Sequence, residues 1–196
     1  SKMPGFSYSV PAQECKTGSK LVKIKGSVCY NCYALKGNYT RFPAVGRALY
    51  NRLDLVENNP KWVGAMVFLI NWYASKTTHF RWHDSGDIQS VKHLTKIVEV
   101  CKLTPNVKHW LPTREAKMVK EYLKDYGGSF PSNLIVRVSA TMVDGKPHKF
   151  HEHTSTVVTE KTSESYTCPA PTQGNECKDC RACWDKRVSN VAYLEH

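Results

Sequence analysis

Residues 106–141 read NVKHWLPTREAKMVKEYLKDYGGSFPSNLIVRVSAT, and this stretch decides the fold class. NVKHWLPT (Asn106–Thr113) has the β-branched and aromatic make-up of a strand. REAKMVKEYLKDY (Arg114–Tyr126) follows as a helix, closed by Gly127-Gly128, and NLIVRVSAT (Asn133–Thr141) is a strand again. Two strands joined through a helix lie parallel, because a tight hairpin cannot connect them in that sense.

The same alternation extends upstream. THFRWHDSGD (Thr78–Asp87) is a strand that breaks at Ser85-Gly86, and a helix from about Ser90 to Leu103 follows, with Ser90 as its cap. PAVGRALYNRLDLVEN (Pro43–Asn58) places Val45, Leu49, Leu53 and Val56 at helical spacing. Pro60 starts a second helix through Trp62, Met66, Leu69 and Tyr73. KLVKIKGSV (Lys20–Val28) reads as the first strand, ending where Cys29 begins a loop. Downstream of Thr141 the pattern weakens: VDGKPHKFHEH is loop-like, TSTVVT is one short strand, and a cysteine-rich tail begins at about residue 165. The expectation is an α/β fold with four or five strands: a partial (β/α) barrel or an open, mostly parallel sheet with a cysteine-rich C-terminal extension. It forms one domain over residues 1–193; Leu194-Glu195-His196 resemble the remnant of an expression tag and are set aside.

The chain has 196 residues, 41% of them hydrophobic and 11% aromatic, which is enough to bury a core and argues against disorder. The longest apolar run, VGAMVFLINWYA (Val63–Ala74), is too short to span a membrane and suits a buried helix. With no signal pattern at the N-terminus, the expected location is the cytoplasm. A formal charge of +11 raises nucleic acid as a partner. The basic residues are scattered, however, apart from KLVKIK (Lys20–Lys25), as on a solvated surface.

Eight cysteines in a chain of this length, read as cytoplasmic, point to metal or redox chemistry rather than disulfides. Cys101 is set apart: it shares a helical face with Leu94, Ile97 and Val98 and reads as a core residue. In the tail, Cys177, Cys180 and Cys183 are spaced by two residues each, and Cys168 precedes Pro169. A short loop of this kind wraps a cubane and gives one thiolate to each iron corner, so the set Cys168, Cys177, Cys180 and Cys183 favours a [4Fe-4S] cluster. Zinc is the alternative, since it also takes four thiolates. The N-terminal set is Cys15, Cys29 and Cys32; three thiolates hold a cluster with one iron left open. Two other arrangements stay open: Cys15 as an ordinary loop residue, and one cluster shared between the Cys29/Cys32 pair and the tail. One or two clusters are therefore expected.

VCYNCYALKGNY, FRWHDSGD, LPTRE and the CP…CKDCRACW tail together resemble a phage-encoded family named after gene product 88, over roughly Pro4 to Trp184. That resemblance implies a phage protein with a metal-binding cysteine set, acting in the host cell cytoplasm. A looser similarity is to radical S-adenosylmethionine enzymes, which carry a cluster loop after the first strand of a partial barrel and a cofactor-binding turn after the second. Here Cys29 and Cys32 and the turn Ser85-Gly86-Asp87 occupy those places. The Cys-x3-Cys-x2-Cys loop usual in those enzymes is absent, and only Cys29-x2-Cys32 remains.

FRWHDSGD puts Arg81, His83, Asp84 and Asp87 at the C-terminal end of a parallel strand, where such folds concentrate ligands. Alternation sends Arg81 and His83 to one face and Trp82 and Asp84 to the other. His83 has the chemistry of a general acid or base, Asp87 of an ammonium ligand, and Arg81 or Arg114 of a carboxylate ligand. His148, His151 and His153 lie in HKFHEH, read as an exposed loop. The expected function is an iron–sulfur enzyme that cleaves a carbon–sulfur bond in a small thiol or thioether, as a lyase or reductively. The alternatives are a zinc- or cluster-stabilised nucleic-acid-binding protein and an electron carrier.

Overall fold

The computed structural model describes residues 2–195. Its first strand, β1 (Phe6–Tyr8), lies in GFSYSV, where Phe6, Tyr8 and Val10 alternate with serines. Short helices α1 (Gly18–Leu21) and α2 (Asn38–Arg41) lead into the long helices α3 (Pro43–Asn58) and α4 (Trp62–Tyr73). Regular alternation follows: β2 (His79–Trp82), α5 (Val91–Leu103), β3 (Lys108–Thr113), α6 (Ala116–Asp125) and β4 (Leu134–Ser139). The last strands are β5 (Thr154–Val158), β6 (Tyr166–Thr167) and β7 (Asn190–Leu194).

The seven strands form one all-parallel sheet in the order β1-β2-β3-β4-β5-β7-β6. The sheet stays open, with β1 and β6 at its edges, so the α/β expectation holds in its open form. Phe80, Trp82, Leu111, Leu134, Val136 and Val138 point to one face. There α3 to α6 cover them with Val56, Trp62, Met66, Leu94, Ile97 and Val119. Cys101 belongs to this core, fully buried as its helical face predicted. Ser90 caps α5, its Oγ accepting from His93 N at 3.0 Å.

The opposite face carries Arg81 and, in register with it, Trp110 and Ile135, with Arg137 beside Pro112. The tail packs on it. A 3-10 turn, Ala182–Trp184, lies against β3 and β4. The Trp184 ring packs 5.1 Å from Trp110, and its Nε1 donates to Phe80 O at 3.0 Å. Burying an aromatic side chain of this size is worth about 2 kcal/mol or more, so the tail is an integral layer of the fold.

Four elements differ from expectation. Lys20–Val28 is not a strand: its lysine–aliphatic alternation is surface patterning, with Ile24 47% exposed, and only Leu21 and Ser27 are buried. On α4 the buried row is Trp62, Met66 and Ile70, while Leu69 and Tyr73 face outward. The 148–153 loop is anchored rather than exposed: His151 Nε2 donates to Val136 O at 2.8 Å and buried His153 to Lys186 O at 3.0 Å. Finally, β1, β6 and β7 raise the strand number to seven. Of the residues set aside as a tag, Leu194 pairs with Val158 in β7, Glu195 N donates to Val158 O at 2.9 Å, and His196 lies outside the described residues.

Candidate functional site

Three thiols gather at the C-terminal ends of the first strands. After β1, the chain makes a 3-10 turn that ends at Cys15, whose carbonyl accepts from Ser19 N. Gly18 faces that cysteine. A Cβ added there would lie 2.9 Å from Cys15 Cβ and 3.7 Å from the sulfurs of both Cys15 and Cys29. The two sulfurs therefore stand within twice that distance of each other, across a space that glycine keeps clear. Cys32 closes a turn onto Cys29, its N–H donating to Cys29 O at 3.1 Å.

This loop is pinned to neighbouring strand ends. Thr17 donates through N and Oγ1 to the Glu115 carboxylate, both at 2.7 Å, and Val28 N donates to Thr141 O at 3.0 Å. Asp87, also buried, accepts from Ile88 N, Thr113 Oγ1 and Arg114 N at 2.6–2.8 Å, so it locks the ends of β2 and β3 together. Burial pushes the Asp87 carboxyl up to about 6 despite these bonds. Burial also pushes the Cys15 thiol well above its ordinary range, with Asp87, Cys32 and Cys29 adding to the effect and Arg114 opposing it. Cys29 is raised by burial as well, and Arg114 again opposes. Deprotonating such a group needs a compensating cation.

The other four thiols gather in the tail. Cys168 leaves β6 with its N–H on Ala192 O, and Cys177 is tied to the N-terminal segment through Lys2 O, each at 2.8 Å. Cys180 N donates to Cys177 O at 2.8 Å. The Cys180 sulfur lies 3.3 Å from Tyr166 Oη, and the Cys183 sulfur 3.2 Å from Tyr193 Oη. Burial raises Cys168 and Cys177, each with neighbouring tail thiols adding to the shift. Burial pushes Cys183 up to about 12, against the Tyr193 hydroxyl and Arg137.

Two guanidiniums serve this group. Arg137, fully buried, donates to six backbone carbonyls: Cys183, Ala182, Asp185, Val188, Ser189 and Thr154, at 2.9–3.3 Å. Arg81 stacks 4.7 Å over Trp110, reaches Met3 Sδ at 3.4 Å, and favours the charged forms of Cys177 and Cys183. Neither has a carboxylate partner; among the described residues the ion pair is Arg187–Asp185. Nor do three or more His, Cys, Asp or Glu donors, among the described residues, converge as tightly as a single metal ion requires.

The polar stretch divides between these surroundings. Arg81 belongs with the tail thiols. His83 does not share its face: the strand stops at Trp82, and His83 at φ +57° turns behind the sheet, its ring 5.1 Å from that of His93. Burial there holds its imidazole well below the usual range, and neither ring nitrogen has a partner. Asp84 turns to the cysteine loop instead. Its carbonyl accepts from Tyr33 Oη, next to Cys32, and its Oδ2 accepts from Tyr39 Oη at 3.0 Å. Asp84 Oδ1 is buried and unpartnered. Burial, then Asp84, raises the Tyr39 phenol. Gly86 makes this turn possible: at φ +78°, its missing Cβ would sit 2.4 Å from Val10 Cγ2.

Sequence reasoning passed over Tyr33, Tyr39, Glu115, Trp110, Arg137 and Tyr193. Arg137 left a signal, as the lone charge in the apolar run LIVRVS. Two cavities contain none of the thiols: an apolar groove of about 350 Å³ along β1 and α4, and a basic one of about 490 Å³.

Fold and site define an all-parallel α/β protein with seven of its eight cysteines in two neighbourhoods, one after β1 and one in the tail. The chain belongs to the Gene product 88 family, whose profile matches residues 1–186. No curated protein and no solved structure matches it, and the similarity to radical S-adenosylmethionine enzymes finds no counterpart in these comparisons. No helix among the described residues is long and apolar enough to cross a membrane.

Proposed function

We propose that this is an iron–sulfur protein, with a [4Fe-4S] centre held by Cys168, Cys177, Cys180 and Cys183 and a second held by Cys15, Cys29 and Cys32. The observation that carries the reading is the partition of the cysteines. Seven gather as a group of three and a group of four, and the eighth, Cys101, is buried in the apolar core. The spacing of Cys177, Cys180 and Cys183 by two residues each, with Cys168 before Pro169, favours a cluster over zinc, because a short loop can give one thiolate to each iron corner. Arg81, Arg137 and Arg114 supply positive charge beside thiolates that would otherwise be buried without compensation.

The four-thiol centre is structural on this reading. Cys15, Cys29 and Cys32 would hold the catalytic centre, and the substrate would be a small molecule that contains sulfur. When bound, such a centre supplies an iron that takes a soft sulfur ligand and so weakens a carbon–sulfur bond. Asp84, held beside the cysteine loop by Tyr33 and Tyr39, is the base that accepts a proton from the carbon adjacent to the one that carries sulfur. The bonding pair leaves with sulfur, and the same proton returns to it. The products are an alkene and a thiol, so the elimination balances with no external reductant. Tyr39 holds Asp84 in place for this transfer. S-adenosylmethionine is not required by this reaction.

Iron and acid-labile sulfide, measured on protein purified without oxygen, test the reading. About eight of each per chain are expected if both sets hold cubanes. Adding a thiol or thioether should then change the electron paramagnetic resonance spectrum of the three-thiol centre. Colourless protein containing only zinc would end the proposal. Iron-loaded protein indifferent to every sulfur ligand would leave a structural or electron-transfer role.

A further inference from the structure

The second cavity contains none of the thiols, although Arg181 on its wall donates to Cys180 O at 2.9 Å. It opens where β2, β3 and β4 begin, at His79, Lys108 and Asn133, the end of the sheet opposite Asp87 and Cys15. The tail supplies its other wall through Arg181, Lys186 and Arg187. Five basic side chains thus surround about 490 Å³, with one carboxylate, Asp185, among them. That carboxylate is already engaged, since Arg187 grips it through Nε and Nη2 at 2.7–3.2 Å. Lys108 and Lys186 have no ion pair among the described residues.

Crowding like charges around a concavity costs stability and serves no packing purpose. The groups are close enough to feel one another: after burial, Arg181 and Lys108 are what disfavour protonation of His79. The arrangement exceeds what one carboxylate would neutralise, and lysine and arginine together match phosphate oxygens. A chain with formal charge +11 would also attract such a ligand over a distance.

We infer that the basic cavity at the N-terminal ends of β2, β3 and β4 binds successive phosphate groups, from a nucleotide or from a nucleic-acid strand. Lys108 and Lys186 make the direct contacts, and Arg181 lines the wall behind them. The inference rests on the positions of these basic side chains and needs no particular metal at the neighbouring cysteines.

The test is fluorescence anisotropy of the full chain with a labelled single-stranded oligonucleotide, competed with pyrophosphate and adenosine diphosphate. Lys108→Glu with Lys186→Glu should weaken binding at least about tenfold at low salt and reduce the slope of log affinity against log salt by roughly one to two. Lys117→Glu with Lys124→Glu, on exposed α6 positions, makes the same change in net charge and should cost less than about threefold. Equally efficient displacement by pyrophosphate assigns the site to small phosphate ligands; affinity that rises with oligonucleotide length assigns it to a strand. Equal loss in both variant pairs, with thermal unfolding unchanged, overturns the inference. So does wild-type protein that binds none of the probes.

Discussion

Arg137→Met separates the tail from the sheet without touching any cysteine. The guanidinium is fully buried, and its five N–H groups reach six carbonyls, four of them in the 182–188 segment that carries Cys183. Methionine fills much of the volume and donates nothing. Stranding a buried acceptor costs about 1–3 kcal/mol, and relief from burying the charge offsets part of the total. Only the Thr154 and Ala182 bonds are wholly buried, so a net loss of about 3–5 kcal/mol is expected. In a chain of this size that lowers the melting temperature by roughly 10 °C. Circular dichroism melts measure it, and limited proteolysis should show cleavage beginning within 160–190. Arg137→Lys keeps the charge and up to three donors and should fall between. An Arg137→Met protein that melts with the wild type would refute the view that this side chain holds the tail.

Stability should fall as the pH is lowered from 6.5 towards 4. His83, His93 and His109 are held neutral by burial, the last two at about 3, so the unfolded chain takes up three protons that the native state does not. Asp87, raised to about 6, acts in the opposite sense and leaves two protons net from these four groups, to which His79 and His151, also lowered by burial, add in the histidines' direction. The slope is then about 2.7 kcal/mol per pH unit near pH 5, and a urea midpoint that does not move between pH 7 and pH 5 contradicts the assignment. Gly18→Ala should strip iron from the three-thiol group alone, because the new Cβ would crowd Cys15 at 2.9 Å. Cys101→Ala should leave iron unchanged while costing about 1 kcal/mol in the core; equal iron content in all three proteins removes the assigned site.

The parallel α/β class was legible because β2, β3, β4 and their helices carry strong periodicity, with capping at Ser90 and a stop at Gly127-Gly128. The first strand was misplaced because Lys20–Val28 mimics a half-buried strand, while the shorter alternation of Phe6, Tyr8 and Val10 gives only three sheet residues. β6 and β7 are set by pairing with each other and with β5, and no local pattern announces a two-residue strand. The Cys29/Cys32 and Cys177/Cys180/Cys183 turns were readable from spacing, since a chain reversal over two residues brings cysteines together, whereas Cys15 and Cys168 reach their neighbours only through the fold. Which polar residues accompany the thiols was not readable. Strand alternation ends with the strand, so one backbone turn at His83 sent its ring behind the sheet and left Asp84 beside the cysteine loop.

The strand order β5-β7-β6 has a consequence for synthesis. β6 leaves the ribosome before β7, yet β7 is the neighbour it pairs with, and Cys168 hangs from Ala192 O of that later strand. Until Asn190–Leu194 has been translated, the seat of the four tail thiols does not exist. Nascent chains stalled short of β7 should therefore carry these cysteines open to alkylating reagents, whereas the anchors of the N-terminal cysteine loop, at Glu115, Thr141, Met142 and Val143, are all made before residue 144. The two groups of thiols mature at different moments in the life of one chain.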